Sequence, residues 1–159
     1  MIIRRANSDD FLTIAALDRE SWRINRNSEF IPDGEHAWRL WAEYAIVFCA
    51  EEKNEVIGAI LAFPCLNGKY CVHKVFVKIE ARGRGISSSL FDVLLKEIDT
   101  LGVESFLTVD PINSAAISLY GKWGFTEKKF VKGFYRQSED RYVLTRKPAK
   151  SKKEPPPKQ

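Results

Sequence analysis

Residues 82–87 read Arg82-Gly83-Arg84-Gly85-Ile86-Ser87. They join an apolar, strand-like run at 72–77 to a strongly helical run at 87–101. Glycines at two positions let the backbone approach an anion closely, and the N–H groups of the first helical turn point toward that anion. The positive end of the helix dipole and the two arginines add to the attraction. The run therefore predicts a phosphate-binding turn between a strand and a helix.

The spacing of the glycines distinguishes between phosphate-binding patterns. A dinucleotide-binding loop would need a glycine where Ser88 stands, and a Walker loop would need Gly-Lys-Ser/Thr after its second glycine. The pattern Arg82-x-x-Gly85-x-Ser87 resembles the Arg/Gln-x-x-Gly-x-Gly/Ala signature of the GNAT family of N-acetyltransferases, in which this turn holds the pyrophosphate of coenzyme A. Ser87 departs from that signature at its last position. Standing alone, the run would be better explained as an ordinary glycine-rich turn with solvated arginines.

A second motif lies about one strand later, at residues 113–125, which read Asn-Ser-Ala-Ala-Ile-Ser-Leu-Tyr-Gly-Lys-Trp-Gly-Phe. It resembles the family's second signature, Asn-x-x-Ala-x-x-x-Tyr-x-x-x-Gly-Phe. Asn113 is a good N-cap for a helix, and Gly124 suits the left-handed residue that ends one. Tyr120 shares a helical face with apolar neighbours, so a core tyrosine is the alternative interpretation. The two motifs in this order favour the family, and the resemblance covers roughly residues 2–146.

The order of apolar runs predicts an α/β fold with a mixed sheet. Predicted strands lie at 2–5, 46–50, 56–63, 70–77, 106–109, 131–135 and 142–145. Predicted helices lie at about 11–22, 34–44, 87–101 and from 113 onward. The resemblance implies a GNAT-like, mostly antiparallel sheet of six to seven strands, flanked by about four helices. A central parallel βαβ unit would hold the phosphate-binding turn.

The net positive charge of the chain lies in its last thirteen residues. Residues 147–159 contain five lysines and one glutamate, so the formal net charge of +4 belongs to this stretch and residues 1–146 are net neutral. A neutral body argues against a nucleic-acid-binding protein. The last stretch also contains three consecutive prolines and lacks apolar residues that could dock it. We therefore predict a single acetyltransferase domain at 1–146 and a disordered, basic, proline-rich tail at 147–159.

Cysteine and histidine usage argues against disulfide and metal chemistry. Cys49, Cys65 and Cys71 have no metal-like spacing, and their odd number does not suggest a disulfide framework. His36 and His73 are far apart in sequence, and neither has an acidic cluster beside it. No secretory signal and no run of membrane-spanning length is visible. We expect reduced thiols, a cytoplasmic location, no metal and no membrane partner.

The resemblance implies acetyl-CoA as co-substrate. Its pyrophosphate would lie on the turn, and its pantetheine arm would pair with backbone groups of the preceding strand like an added strand. Tyr120 matches the family's general acid, since a tyrosine with a pKa of about 10 keeps its proton for a leaving thiolate. The implied cofactor-binding residues are Val75, Val77, Arg82, Gly83, Arg84, Gly85, Ile86, Ser87, Asn113 and Tyr120.

The general base is not evident from the sequence. Family members carry a glutamate on the fourth strand, where this chain has Cys71, or on the fifth strand, where it has Thr108. His73 is the first alternative because imidazole titrates near neutral pH, although a partly exposed structural histidine is an equal explanation. Asp110 is the second alternative, against a plain turn-forming aspartate.

The acceptor is expected to be a primary amine. Deprotonating a lysine side chain at neutral pH costs roughly 4 kcal/mol, whereas an α-amine costs less than about 1 kcal/mol. A site without a strong base therefore favours an α-amino group. Residues 134–141 resemble a Tyr-Tyr…Glu-Asp stretch of protein N-terminal acetyltransferases, including those that act on ribosomal proteins, which implies that Tyr135 helps to hold a peptide. Phe134 and Thr108 depart from that pattern, and a surface hairpin is the alternative.

The predicted function is direct acetyl transfer from acetyl-CoA to a protein or peptide α-amino group. Small amines such as a polyamine, an amino acid or an amino sugar are alternative acceptors. A non-catalytic acyl-CoA-binding module is the alternative that is not an enzyme. The presence of Tyr120 argues against it, since a module that only binds acyl-CoA needs no general acid. We expect a monomer or homodimer without nucleic-acid partners.

Overall fold

A computed structural model describes residues 1–24 and 31–150. The chain divides into two units, Met1–Leu95 and a second unit that begins at Lys96. The strands are β1 (Ile2–Arg5), β2 (Ile46–Glu52), β3 (Glu55–Pro64), β4 (Tyr70–Val77), β5 (Ser105–Val109), β6 (Phe125–Val131) and β7 (Arg141–Arg146). The α-helices are α1 (Phe11–Ile24), α2 (Glu35–Tyr44), α3 (Ile86–Leu101) and α4 (Ser114–Lys122). These elements confirm the predicted α/β class with seven strands and four helices.

The first unit is an antiparallel sheet covered by two helices. β1, β2, β3 and β4 pair in sequence order, each antiparallel to the next. β2 and β3 are buried along most of their length, which explains why they read as continuous apolar runs. Trp38 of α2 and Ile14 of α1 are fully buried in one cluster with Leu61 of β3 and Phe76 of β4. Since α1 and α2 share this core, their positions on the sheet are set by apolar packing.

Helix α1 begins with a short 3-10 turn at Ser8–Asp10, where Asn7 is the N-cap. The Asn7 side chain accepts a hydrogen bond from Asp9 N at 2.8 Å, and Asp10 Oδ2 accepts one from Asn7 N at 2.8 Å. This reciprocal capping box stabilises the helix start. The Asp10 carboxylate also accepts two hydrogen bonds of 2.9 Å from Arg4, which joins β1 to the start of the helix.

The second unit places β7 between β5 and β6, antiparallel to both. The prediction of a strand at 131–135 is wrong, because β6 ends at Val131 and residues 132–135 form turns and bends. β6 itself is exposed along most of its length and contains Glu127, Lys128 and Lys129, so it lacks an apolar pattern that would indicate a strand. The order β4, α3, β5 that the predicted parallel βαβ unit requires is present.

A buried arginine joins three elements of the second unit. Arg146, at the end of β7, donates hydrogen bonds of 2.6 and 2.9 Å to the Asp99 carboxylate of α3. Arg146 Nε donates to the carbonyl of Trp123, the residue after α4, at 2.8 Å. Asp99 also accepts a hydrogen bond of 2.9 Å from the backbone of Ala149, so residues beyond β7 contact the unit. Residues 151–159 of the predicted tail lie outside the described residues.

No helix within the described parts of the chain is long and apolar enough to cross a membrane. In the same residues, no group of three or more histidine, cysteine, aspartate and glutamate side chains is placed to hold a metal ion.

We predict that Asp99→Asn lowers the free energy of unfolding by about 2 kcal/mol at pH 7, because it weakens charge-assisted hydrogen bonds to a buried guanidinium. The hydrogen bonds from Arg146 lower the pKa of the Asp99 carboxyl. A lowered folded-state pKa gives stability that is present above the unfolded-state value of about 3.9 and is lost as pH falls below it. The difference between wild type and variant in denaturant unfolding should therefore shrink below about pH 4. An equal difference at pH 3 and pH 7 would contradict this ion pair.

Candidate active site

The predicted phosphate-binding turn contains two glycines in the left-handed conformation. The φ angles of Gly83 and Gly85 are +75° and +74°. A Cβ atom at either position would meet no atom within 4 Å, so the backbone conformation rather than lack of space requires glycine there. Helix α3 starts directly afterwards, and the amide and hydroxyl of Ser89 both donate to Gly85 O, at 3.1 and 3.2 Å. The amides of the turn before Ser89 stand at the positive end of the helix, where an anion binds best.

The two arginines of the turn have different surroundings. Arg84 donates two hydrogen bonds, of 3.1 and 2.6 Å, to the carboxylate of Glu52 at the end of β2. This contact lowers the pKa of Glu52, so the charge of Arg84 is balanced within the protein. Arg82 Nε donates to the carbonyl of Val77, the last residue of β4, at 3.1 Å. Backbone amides and Arg82 therefore contribute more of the positive potential at this turn than Arg84 does.

Strand β4 leads into the turn and carries four of the residues singled out in the sequence. Val75 is half-buried and Val77 is buried. Cys71, at one of the glutamate positions of the family, is buried, and burial raises the pKa of its thiol to about 12. A thiol with that pKa stays protonated at neutral pH and cannot accept a proton from the acceptor amine. His73 lies between these residues, with its side chain about one quarter exposed.

His73 belongs to a cluster of polar and charged side chains. His73 Nε2 lies 3.0 Å from Asp33 Oδ2, and Lys74 Nζ lies 2.8 Å from the same oxygen. Lys74 Nζ also donates to both carboxylate oxygens of Asp18, at 2.9 and 2.8 Å. Trp38 Nε1 donates to Asp18 Oδ2 at 3.0 Å. The cluster brings together residues of α1, α2, β4 and the segment before α2.

A β-bulge explains how two consecutive residues of β4 reach the same carboxylate. The register with β3 pairs Lys74 with Leu61 but Val72 with Ala62, so His73 is the extra residue. In a regular strand successive side chains point to opposite faces. The bulge removes that alternation, and His73 and Lys74 both contact Asp33.

Two aromatic rings pack against the His73 imidazole. Its centroid lies 5.6 Å from Trp41 and 5.6 Å from Phe63, both in edge-to-face geometry. Trp41 and Phe63 are stacked on each other, with centroids 6.0 Å apart. This packing and the contact with Asp33 together limit the orientations open to the imidazole.

Tyr120 lies on α4 in the second unit. The Asn113 side chain accepts a hydrogen bond from Ala116 N at 3.1 Å and caps this helix, as predicted for an N-cap. The Tyr120 ring lies 6.4 Å from Trp123 and 6.3 Å from Phe125. Burial raises the pKa of the Tyr120 phenol, which favours the protonated form that a general acid needs.

The remaining candidates lie on β5 and the connection between β6 and β7. The Tyr135 hydroxyl lies 2.9 Å from Thr108 Oγ1, and the ring is about half exposed. Thr108 is the other position where family members carry a glutamate, so here it bonds to a tyrosine of the predicted peptide-binding stretch. The guanidinium of Arg141 lies over the Tyr135 ring at 5.2 Å. Asp110 accepts a hydrogen bond from Ile112 N at 3.0 Å, which is the turn-forming role weighed above.

Sequence reasoning missed Asp18, Asp33, Lys74 and Glu52. Lys74 carried a signal, because a lysine in the middle of an apolar strand needs a buried partner. Nothing in the sequence indicated which carboxylates would supply it, since Asp18 is 56 positions away.

The chain matches the profile of the acetyltransferase (GNAT) family over residues 11–125. It belongs to the GNAT family. It is 30% identical over 158 residues to an N-alpha-acetyltransferase of Saccharolobus solfataricus, with 91% of each chain covered. It is 24% identical over 155 residues to an uncharacterized N-acetyltransferase of Methanocaldococcus jannaschii, with 96% of this chain and 95% of that protein covered. As a GNAT acetyltransferase it uses acetyl-CoA as acetyl donor.

Solved structures share the GNAT fold. The ribosomal-protein-S18-alanine N-acetyltransferase from Escherichia coli superposes with a TM-score of 0.75 at 18% identity, covering 96% of both chains. The PaiA N-acetyltransferase from Thermoplasma acidophilum, solved in complex with coenzyme A, has a TM-score of 0.66 at 20% identity and covers 92% of this chain and 98% of that one. At these identities the likeness concerns the fold, and it confirms the predicted GNAT architecture.

We predict that Gly85→Glu abolishes acetyl-CoA binding, because a side chain and a negative charge would stand where the pyrophosphate is expected. Gly102→Glu is a matched control, since Gly102 also has a positive φ, of +68°, and open space around its Cβ position. Both variants should lose about 1 to 2 kcal/mol of stability through backbone strain. Only Gly85→Glu should lose affinity in calorimetry. Equal affinities in the two variants would overturn the assignment of the turn.

Proposed function

We propose that this GNAT enzyme transfers the acetyl group of acetyl-CoA to the α-amino group of a protein or peptide. The observation that carries the proposal is the 30% identity, over nearly the whole chain, to a protein named N-alpha-acetyltransferase. The energetic argument agrees, because an α-amine near pH 7.4 needs less than about 1 kcal/mol to lose its proton and makes a modest base sufficient.

Most of the proposed cofactor-binding residues lie in the first unit, and Asn113 lies in the second. The amides of residues 82–87 and the side chain of Arg82 hold the pyrophosphate. The backbone at Val75 and Val77 pairs with the pantetheine arm, which directs the thioester back along β4 toward His73. Val77 and His73 are four positions apart on the strand, or roughly 13 Å. Asn113 keeps its predicted cofactor-binding role in addition to capping α4.

The reaction is proposed as a direct transfer in a ternary complex. His73 accepts a proton from the acceptor ammonium, and the neutral amine attacks the thioester carbonyl carbon. A strand-edge amide stabilises the oxyanion that forms. The carbon–sulfur bond then breaks, and Tyr120 donates its proton to the leaving thiolate. The acetylated nitrogen loses its remaining extra proton to water, His73 releases its proton to water, and Tyr120 is reprotonated from water. Tyr135, held by Thr108, contacts the acceptor peptide.

The proposal also covers the domain limits, the compartment and the oligomeric state of the enzyme. We place catalysis in residues 1–146 and treat 147–159 as a tail without a catalytic role. The three cysteines are free thiols, which supports a reducing compartment such as the cytoplasm. The amine acceptor is the proposed partner, and the enzyme acts as a monomer or homodimer.

The test of the acceptor class uses paired substrates. Peptides with a free α-amine and the same peptides with a blocked N-terminus and an internal lysine are incubated with acetyl-CoA, alongside polyamines and amino sugars. We expect mass spectrometry to find acetylation of the free α-amine and little or none of the blocked peptides. Acetylation of small amines alone would contradict the α-amino assignment. Acetyl-CoA binding without transfer to any amine would favour the non-catalytic module.

We predict that Tyr120→Phe lowers turnover by roughly 10² to 10⁴ at nearly constant acetyl-CoA affinity, because it removes the proton that the thiolate needs. Tyr142→Phe is the control: its ring is also half-buried and packs on Phe130, with centroids 5.8 Å apart, and it has no proposed role. It should keep wild-type turnover. Wild-type turnover in Tyr120→Phe together with a melting temperature lowered by the loss of a hydrogen bond would assign Tyr120 to the core.

A further inference from the structure

We propose that Asp33 is a positioning residue for His73. Its carboxylate selects the imidazole tautomer that leaves Nδ1 free to accept the acceptor proton, and it attaches the segment before α2 to β4. This inference rests on the proposed function, because it assumes that His73 is the general base.

The tautomer follows from the chemistry of the contact. His73 Nε2 lies 3.0 Å from Asp33 Oδ2. An ionised carboxylate only accepts hydrogen bonds, so Nε2 must carry the proton and Nδ1 the lone pair in the neutral ring. Burial raises the pKa of Asp33, but the hydrogen bonds from His73 and Lys74 outweigh it and hold that pKa below its usual value. Asp33 is therefore ionised wherever His73 can act as a base.

The position of Asp33 is itself determined by its neighbours. Its backbone amide donates to Asp18 Oδ2 at 2.9 Å, and Asp33 Oδ2 contacts Lys74 Nζ at 2.8 Å. The Lys74 and Asp18 side chains are 2% and 0% exposed. An anchor of this kind gives the carboxylate a defined place relative to β4, and Lys74 keeps Asp18 as partner when Asp33 is removed. Loss of the Asp33 side chain therefore leaves no buried charge unpaired, and the variant is expected to fold.

The charged groups that face the pair are few. Among the described residues in contact with Asp33 or His73, Lys74 on β4 and Asp18 on α1 are charged, and they bond to each other. Helix α2 contributes the Trp41 ring and β3 the Phe63 ring, neither of which titrates. The two rings restrict the plane of the imidazole, and Asp33 determines which nitrogen points away from the acceptor.

The first experiment measures turnover on a free α-amine peptide. Asp33→Ala should lower kcat about tenfold or more, but less than His73→Ala, which removes a base worth about 10² to 10⁴. Acetyl-CoA affinity should be unchanged in both. In the double variant the Asp33 substitution should cause no further loss, because a positioning residue acts only through the group that it positions. Glu35→Ala is the matched control: this exposed carboxylate lies two residues away and pairs with Arg19 at 3.4 Å, and its kcat should equal that of wild type.

The second experiment observes the tautomer directly. The chain has two histidines, so ¹⁵N side-chain spectra of wild type and His73→Ala assign the His73 ring. At pH 8.5, about two units above the ordinary titration of imidazole, we expect the Nε2–H tautomer in wild type and a mixture in Asp33→Ala.

Three results would overturn the proposal: wild-type kcat in Asp33→Ala, losses that multiply in the double variant, or a predominant Nδ1–H tautomer in wild type. The tautomer in wild type is observed without any turnover measurement, and its assignment uses only the His73→Ala variant. If no free α-amine is acetylated but the Nε2–H tautomer is found, the proposed function fails while the pairing of Asp33 with His73 stands.

Discussion

The buried pair of Lys74 and Asp18 is the interaction on which the first unit depends. Both side chains are buried away from water. An unpaired buried charge costs several kcal/mol, so each side chain needs the other in contact. The Asp18 carboxylate also accepts hydrogen bonds from the Trp38 indole and from the backbone of Asp33. One carboxylate on α1 thereby orients α2, the segment before it and β4.

This pair also determines the register of β4. A shift of one residue would move Lys74 to the opposite face of the sheet and leave Asp18 without its ammonium partner. The bulge at His73 is compatible with the pair and brings the imidazole to Asp33, a carboxylate that Lys74 also contacts. The proposed base therefore lies between two aromatic rings and a carboxylate, which together limit its orientation.

Ion pairs also join secondary-structure elements in other regions of the protein. Arg146 and Asp99 hold the ends of β7, α3 and α4 together in the second unit. At the turn of residues 82–87, Arg84 pairs with Glu52, so the proposed attraction for an anion depends more on backbone amides than the two arginines of the sequence suggest. These ion pairs join secondary-structure elements, and the proposed base His73 contacts a further one through Asp33.

Much of the fold could be predicted from the sequence, since it depends on local patterns. Within the described residues, apolar patterns and capping residues located six of the seven strands and all four α-helices, and Asn113 caps α4 as expected. The strand predicted at 131–135 failed because β6 is exposed and polar, and its pairing with β7 rather than its composition makes it a strand. The site predictions at residues 82–87, Tyr120 and Tyr135 came from motifs, whereas His73 was proposed from its chemistry and its place on the fourth strand.

The sequence by itself determined the family, the fold class and the glycine turn at residues 82–87, because Gly83, Gly85 and the spacing of two motifs act over short distances along the chain. The tertiary structure alone decided which carboxylates meet Lys74 and His73. Those contacts join residues 40 and 56 positions apart, and a charge pattern does not encode which distant partner will be brought within 3 Å. Burial is a property of the assembled core, so the raised pKa of Tyr120 and Cys71 also appears only in the folded protein.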